Sequence, residues 1–274
     1  MSSIIANELS ASPEVFMFTA PNPGPKTLEG THTYIVGHDA YVIDPGPDLP
    51  PNLEALAAWL RQTGRSPRGI LLTHGHPDHA PGAARLKAIL DVPVWSSARM
   101  LAEDSLRAGV DRVFEEDHVF AADDDILHVI PAPGHAFDHV CFWLPKAAIL
   151  FAGDTILGQG TTLVAPPEGD MLDYMATLER LQALDARIIA PGHGPIVESP
   201  REKFDEYIGH RRAREAQLLQ ILAKGPKTVT ELVTEAYADV DPRLHGLARG
   251  SVEAQLIKLL KEGRLTVEGP RYRA

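Results

Sequence analysis

The sequence predicts an α+β chain in two parts: a four-layer αββα sandwich over residues 1–200, then a small helical domain closed by a β-hairpin over 201–274. Three observations carry this expectation. Short apolar runs alternate with helical periodicity through the first part. Four of those runs end on polar side chains, at 74–79, His135, Asp154 and His193. Strand ends that collect polar groups at one edge of paired sheets, with helices packed outside, describe such a sandwich. Beyond residue 200 the texture turns to helices.

Taken in order, Val15–Phe18 reads as a first strand, followed by the Pro/Gly-rich segment 20–25. Thr33–Gly37 and Ala40–Asp44 form a hairpin about Gly37-His38-Asp39. Leu53, Leu56, Ala57 and Leu60 fall at helical spacing, and Gly64 stops that helix. Ile70–Thr73 is a short buried strand, Gly82–Leu90 a helix, Val92–Trp95 a strand and Ala98–Ala108 a further helix. Val119-Phe120 and Ile126–Ile130 are strands, and Val140–Leu144 with Ala148–Phe151 makes a second hairpin. Met171–Leu184 is strongly helical in period, and Ile188–Ala190 is the last strand of the sandwich.

Arg201–Lys224 is a long helix stopped by Gly225-Pro226. Thr228–Ala238 follows, with Thr228 and Glu231 at the capping-box spacing. Gly246–Lys261, and a pairing of 264–268 with 271–273, complete three helices and a hairpin, the winged-helix pattern.

Composition bounds the class. At 274 residues, 44% hydrophobic and 23% charged, the chain has the make-up of a globular protein with room for one large domain and one small. No run approaches the roughly eighteen apolar residues that span a bilayer, so no membrane role is expected. The segment Met1–Glu8 has no basic stretch followed by an apolar core, hence no secretory signal. The single cysteine, Cys141, fits a reducing compartment, and a cytoplasmic location is the expectation. The net charge of −11 is uneven. Residues 1–200 hold 12 Lys/Arg against 26 Asp/Glu, a net of −14; residues 201–274 hold 14 against 11, a net of +3. A tail this mildly basic does not by itself announce a nucleic-acid binder.

The chemistry concentrates in Thr73-His74-Gly75-His76-Pro77-Asp78-His79. Pro77 and Gly75 exclude helix, so the run is a loop at a strand's end. Three imidazoles and a carboxylate within six positions suit zinc, iron or manganese better than calcium or magnesium.

These residues, with Pro133-Gly134-His135, Gly153-Asp154-Thr155 and Pro191-Gly192-His193-Gly194, resemble the metallo-β-lactamase-fold hydrolase superfamily in order and spacing over residues 15–200. The resemblance implies one metal held by His74, His76 and His135, a second held by Asp78, His79 and His193, and Asp154 bridging both. The implied cofactors are two divalent ions, zinc foremost, with manganese or iron in its place. Asp44, in Ile43-Asp44-Pro45-Gly46, matches the superfamily's first motif and would orient a ligand imidazole. The implied reaction is hydrolysis by a metal-bridging hydroxide, with Asp78 as ligand and acceptor of the water's proton.

A narrower resemblance, to the β-lactamase-like protein 2 family, rests on Gly30–Gly37, Gly158–Thr162, Asp173-Tyr174-Met175 and Tyr207–Arg211, and on the winged helix of 201–274. That family includes an endoribonuclease acting on single-stranded RNA. It usually has Asn where this chain has His32. His32 and Tyr174 are the candidates for substrate contact, and either of them or His139 for the general acid.

Three functions follow: a phosphodiesterase on single-stranded RNA, a thioester or small-ester hydrolase of the hydroxyacylglutathione type, or a non-catalytic DNA-binding regulator. The last would read DNA with Arg249, Lys258 and Lys261 of the third helix, next to an opposing Glu253. Pairing with a second copy of the chain is left open. Among the remaining polar residues, His139 and Cys141 read as packed core, and Arg211, Arg212 and Arg214 as a solvated helix face ahead of an RNA contact.

Overall fold

The computed structural model describes residues 7–102, 109–115, 117–238, 241 and 245–274. They fall into two compact units. One comprises the described parts of Met1–Ala132, Asp138–Gly160 and Asp185–Pro200; the other, those of Pro133–Phe137, Thr161–Leu184 and Arg201–Ala274.

In the first unit β1 (Asn7–Ala11), β2 (Glu14–Thr19), β3 (His32–Val36), β4 (Tyr41–Ile43), β5 (Gly69–Leu71), β6 (Val94–Ser97) and β7 (Arg112–Phe114) form one sheet in chain order. Pairing is antiparallel from β1 to β4 and parallel from β4 to β7. A second sheet runs β12 (Ile188–Pro191), β11 (Ile149–Gly153), β10 (Val140–Leu144), β9 (Asp125–Pro131) and β8 (Val119–Ala122), with β11 and β12 parallel.

Successive strand residues point to opposite faces, and both faces of the larger sheet are apolar. Tyr34, Val36, Ile43 and Leu71 meet Phe120, Leu127, Val129, Phe142 and Phe151 of the smaller sheet in one buried core. Their neighbours Ile35, Val42, Ile70 and Val94 face the other way. They pack with Leu53, Leu56 and Leu60 of α1 (Pro50–Gln62) and Leu86 of α2 (Gly82–Leu90).

The parallel pairs position the chemistry. Because β4 and β5 run the same way, Asp44 and the 73–79 loop leave the sheet at one edge. Likewise Asp154 leaves β11 beside the His193 turn that follows β12.

In the second unit α3 (Met171–Gln182) opens on Asp170, whose carboxylate accepts from the backbone N–H groups of Leu172 and Asp173. α4 (Pro200–Leu222), α5 (Val229–Ala236) and α6 (His245–Lys261) precede the hairpin of β13 (Thr266–Glu268) and β14 (Arg271–Arg273). Thr228 and Glu231 make the expected capping box. Leu218, Leu222, Leu232, Val252, Leu256 and Leu259 form this unit's own core, and α3 packs against α6.

Of the helix expected over 98–108, Met100–Ala102 form a 3₁₀ turn, and residues 103–108 lie outside the described ones. Strands β1 and β7 were not foreseen. Arg211, Arg212 and Arg214 are not a common solvated face. Arg211 is buried, bonded to the Thr162 carbonyl and set over the Tyr174 ring; Arg212 pairs with Glu179; Arg214 lies over the Tyr237 ring. No described helix is long and apolar enough to cross a membrane.

Candidate metal centre

The 74–79 loop is held open by Asp44. Its carboxylate accepts from the Thr73 backbone N–H (2.8 Å), the Thr73 hydroxyl (2.6 Å) and His79 Nδ1 (2.9 Å). Asp44 sits at φ 48, a left-handed conformation that Asp tolerates better than most residues, just before Gly46. Just before β10, Asp138 accepts from the Gly75 N–H (2.9 Å). Gly192 is required by crowding: a Cβ there would stand 2.5 Å from Asp154 Oδ1 and 2.7 Å from His79 Cε1.

Chemistry fixes the imidazole tautomers. The Thr73 hydroxyl donates to Asp44 and so accepts from His74 Nδ1 (2.9 Å). His79 Nδ1 donates to Asp44, and His193 Nδ1 donates to the Gly30 carbonyl (3.1 Å), which can only accept. In the second unit, His135 Nδ1 donates to the Leu163 carbonyl (2.8 Å). Each of these four rings therefore carries a proton on Nδ1, which leaves Nε2 as the atom that would bind a metal, as in metal-ligating histidines.

The Nε2 atoms of His79 and His193 converge on carboxylate oxygens. His79 Nε2 and His193 Nε2 are 3.2 Å apart, and Asp154 Oδ1 lies 3.3 and 3.4 Å from them. Asp78 Oδ2 is 3.1 Å from His193 Nε2. Ligand atoms of Asp78, His79 and His193 all lie within 4.8 Å of one another, and so do those of His74, His76 and Asp154. Asp154 thus touches both sets. Lewis bases packed this closely repel unless a proton or a cation lies among them.

The protonation equilibria express that excess of negative charge. Burial resists protonation of His193, but its bonds to Asp154 and Asp78 prevail and raise it to about 9. Burial likewise opposes a charge on His79, and Asp154 and Asp44 outweigh it to hold the imidazole well above its usual value. Burial would raise Asp154, yet His79 and His193 pull it well below the usual carboxylate range; Asp78 is lowered the same way through His193. His74, desolvated and beside His79 and His139, is pushed well below the ordinary imidazole value and stays neutral. A divalent cation would satisfy these groups in place of the protons, so the residues fit a metal centre.

His32 is buried between the Thr19 hydroxyl (3.0 Å) and the Gly194 carbonyl (2.7 Å), so both ring nitrogens are committed. Tyr174, in the second unit, is fully buried; a Cβ at Gly134 would stand 2.3 Å from its Cα. His139 does more than fill core. Its Nε2 accepts the Asp154 backbone N–H (3.1 Å) and its ring lies over His74 at 4.7 Å. Sequence reasoning missed Asp138, Thr73 and the part played by His139. The available signal was a polar pair, Asp138-His139, directly before the apolar strand β10.

Residues 27–193 match the metallo-beta-lactamase superfamily, and residues 228–271 match the beta-lactamase associated winged helix domain. The chain is 37% identical over 261 residues to a beta-lactamase-like protein 2 homolog of Caenorhabditis elegans, covering 92% of this chain and 85% of that protein. It is 32% identical over 252 residues to an atrochrysone carboxyl ACP thioesterase of Aspergillus fumigatus, covering 85% and 77%. A beta-lactamase domain protein from Burkholderia ambifaria shares the fold at a TM-score of 0.84, with 19% identity over 99% of this chain and 94% of that one. Ligand geometry and kinship agree: this chain is a metal-dependent hydrolase of the metallo-β-lactamase superfamily, carrying the associated winged helix.

Proposed function

We propose that this hydrolase uses two metal ions to cleave an uncharged acyl thioester or ester. The observation that carries the reading is the convergence of His79, His193, Asp78 and Asp154 on one point, with Asp154 also among the ligand atoms of His74 and His76. On the superfamily's pattern His135 completes the first set. When bound, divalent cations supply Lewis acidity and an activated water nucleophile at neutral pH; zinc is the first candidate and manganese or iron the alternatives. Asp78 holds the nucleophile's proton, Asp44 fixes the His79 tautomer, and His139 steadies the Asp154 backbone. His32 is a positioning residue for the His193 turn.

The thioester class draws support from a similar protein whose name is that of a thioesterase. RNA draws less. Phosphate affinity comes from free Lys and Arg, and the cations of α6 are paired: Arg249 with Glu253, Lys258 with Glu215 and Glu262, Lys261 with Asp170. The test is a parallel assay of single-stranded RNA and a panel of acyl thioesters with the wild type and Asp78→Ala. Thioester turnover abolished in Asp78→Ala is the expected result. RNA cleavage with the same dependence, and no thioester turnover, overturns the substrate assignment.

A further inference from the structure

Residues of α3, α4 and α6, all within the second unit, line a cleft of ≈ 400 Å³. That volume lies in the range of about 300 to 1,000 Å³ typical of small-molecule sites. Two of its lining residues hold buried polar groups with unmet bonding. Arg211 of α4 is buried. Among the described residues its guanidinium meets the Thr162 carbonyl and the face of Tyr174 but no carboxylate, and its Nε has no hydrogen-bond partner. Gln255 of α6 is equally buried. Its Nε2 donates to the Arg211 backbone carbonyl (3.2 Å), which fixes the orientation of the amide and leaves Oε1 buried without a donor. A buried cation without an anion, or a buried carbonyl without a donor, costs free energy that an occupant can return.

The other charges lining the cleft are committed to each other: Arg212 to Glu179, and Lys258 to Glu215 and Glu262. Arg211 is thus its uncompensated cation. The apolar lining comes from α3, where Leu172, Met175 and Ala176 share one helix face at i, i+3, i+4 spacing. This stripe is not core. Leu172 is 38% exposed and Ala176 is exposed, whereas Tyr174 and Leu178 are the residues that bury α3.

We propose that this cleft binds a small carboxylic acid with an apolar body and a hydrogen-bond donor, such as an N-acylated amino acid. The carboxylate pairs with the Arg211 guanidinium, whose planar fork suits two oxygens. The ligand's amide N–H donates to Gln255 Oε1, and its hydrocarbon part covers Leu172, Met175 and Ala176. A neutral molecule or a cation leaves Arg211 without an anion, which selects the acid. None of the lining residues is a candidate metal ligand, so the assignment holds whatever the metal centre hydrolyses.

The test uses the full chain labelled with ¹³C in its methionine methyl groups, the Met175 signal being assigned from Met175→Leu. Three matched probes are titrated. They are N-acetylleucine, N-acetylleucinamide, in which a carboxamide replaces the carboxylate, and 4-methylpentanoate, which lacks the amide donor. N-acetylleucine should shift Met175 saturably, binding about tenfold or more tighter than the amide and about threefold or more tighter than 4-methylpentanoate. Ala176→Trp, a change at an exposed helix position, should fill the cleft and abolish the saturable shift. Arg211→Met should bring the acid's affinity down to that of the amide; thermal melting checks the fold of both variants. Should Arg211→Met not fold, the amide probe makes the same comparison on the intact protein. An acid that leaves Met175 unshifted, an amide that binds as tightly as the acid, or binding unchanged in Ala176→Trp overturns the proposal.

Discussion

Asp44 shows how far one side chain governs the centre without reaching it. Its carboxylate binds Thr73 twice and His79 once, and through them sets the tautomers of His74 and His79. Asp44→Asn keeps the shape but can offer His79 or Thr73 a donor where an acceptor is needed. Metal affinity, measured by competition with a chelator, should fall about 10–100-fold, the usual cost of losing such a partner; an unchanged affinity would refute this role. His193 gives the pH dependence. Its imidazole is raised from 6.5 to about 9 in the folded, metal-free chain. A raised folded value contributes stability that is present in full below pH 6.5 and lost as pH climbs through about 9. The melting temperature of chelator-treated protein should therefore decline between pH 6.5 and 9.5, and a flat or rising profile would contradict the assignment. At this scale the ligands were legible because the metal's demands are written into spacing: His74, His76, Asp78 and His79 share one loop. Asp138 and His139 were not, since their value lies in contacts with Gly75, Asp154 and His74 that only the folded chain creates.

Among the elements, α3 sets two forces against each other at one residue. Asp170 caps the helix by accepting from Leu172 and Asp173, and also pairs with Lys261 of α6. Capping is local and well aligned, worth about 1 kcal/mol, whereas an ion pair with half-exposed Lys261 is worth less than about 0.5 kcal/mol after screening and ordering. Asp170→Ala should thus cost about 1 kcal/mol in chemical denaturation and Lys261→Ala only a few tenths; equal losses would mean the ion pair, not the cap, dominates. Helices with strong periodicity, such as Gly82–Leu90, were readable to their ends. Edge strands were not. In β7, Arg112 and Val113 are exposed and only Phe114 is buried, so there was no apolar run to read.

For the whole molecule, the inter-sheet core and the metal centre are independent sources of stability in the first unit. Phe142 is completely buried between the sheets. Phe142→Ala should cost about 3–5 kcal/mol, and would do so with or without metal; a loss that vanishes in chelated protein would show that the core and the centre are coupled. The net charge of −11 makes tight RNA binding at physiological salt unexpected. The fold was legible at this scale because four strand ends had to bring their polar groups to one edge.

The most direct measurement is the metal content of the purified chain by mass spectrometry, for wild type, Asp154→Ala and His193→Ala. Two transition-metal ions per folded wild-type chain, at most one in each variant, is the expected result. A folded wild type that holds no zinc, manganese or iron, even after equilibration with each, would contradict the metal centre and the chemistry assigned to it.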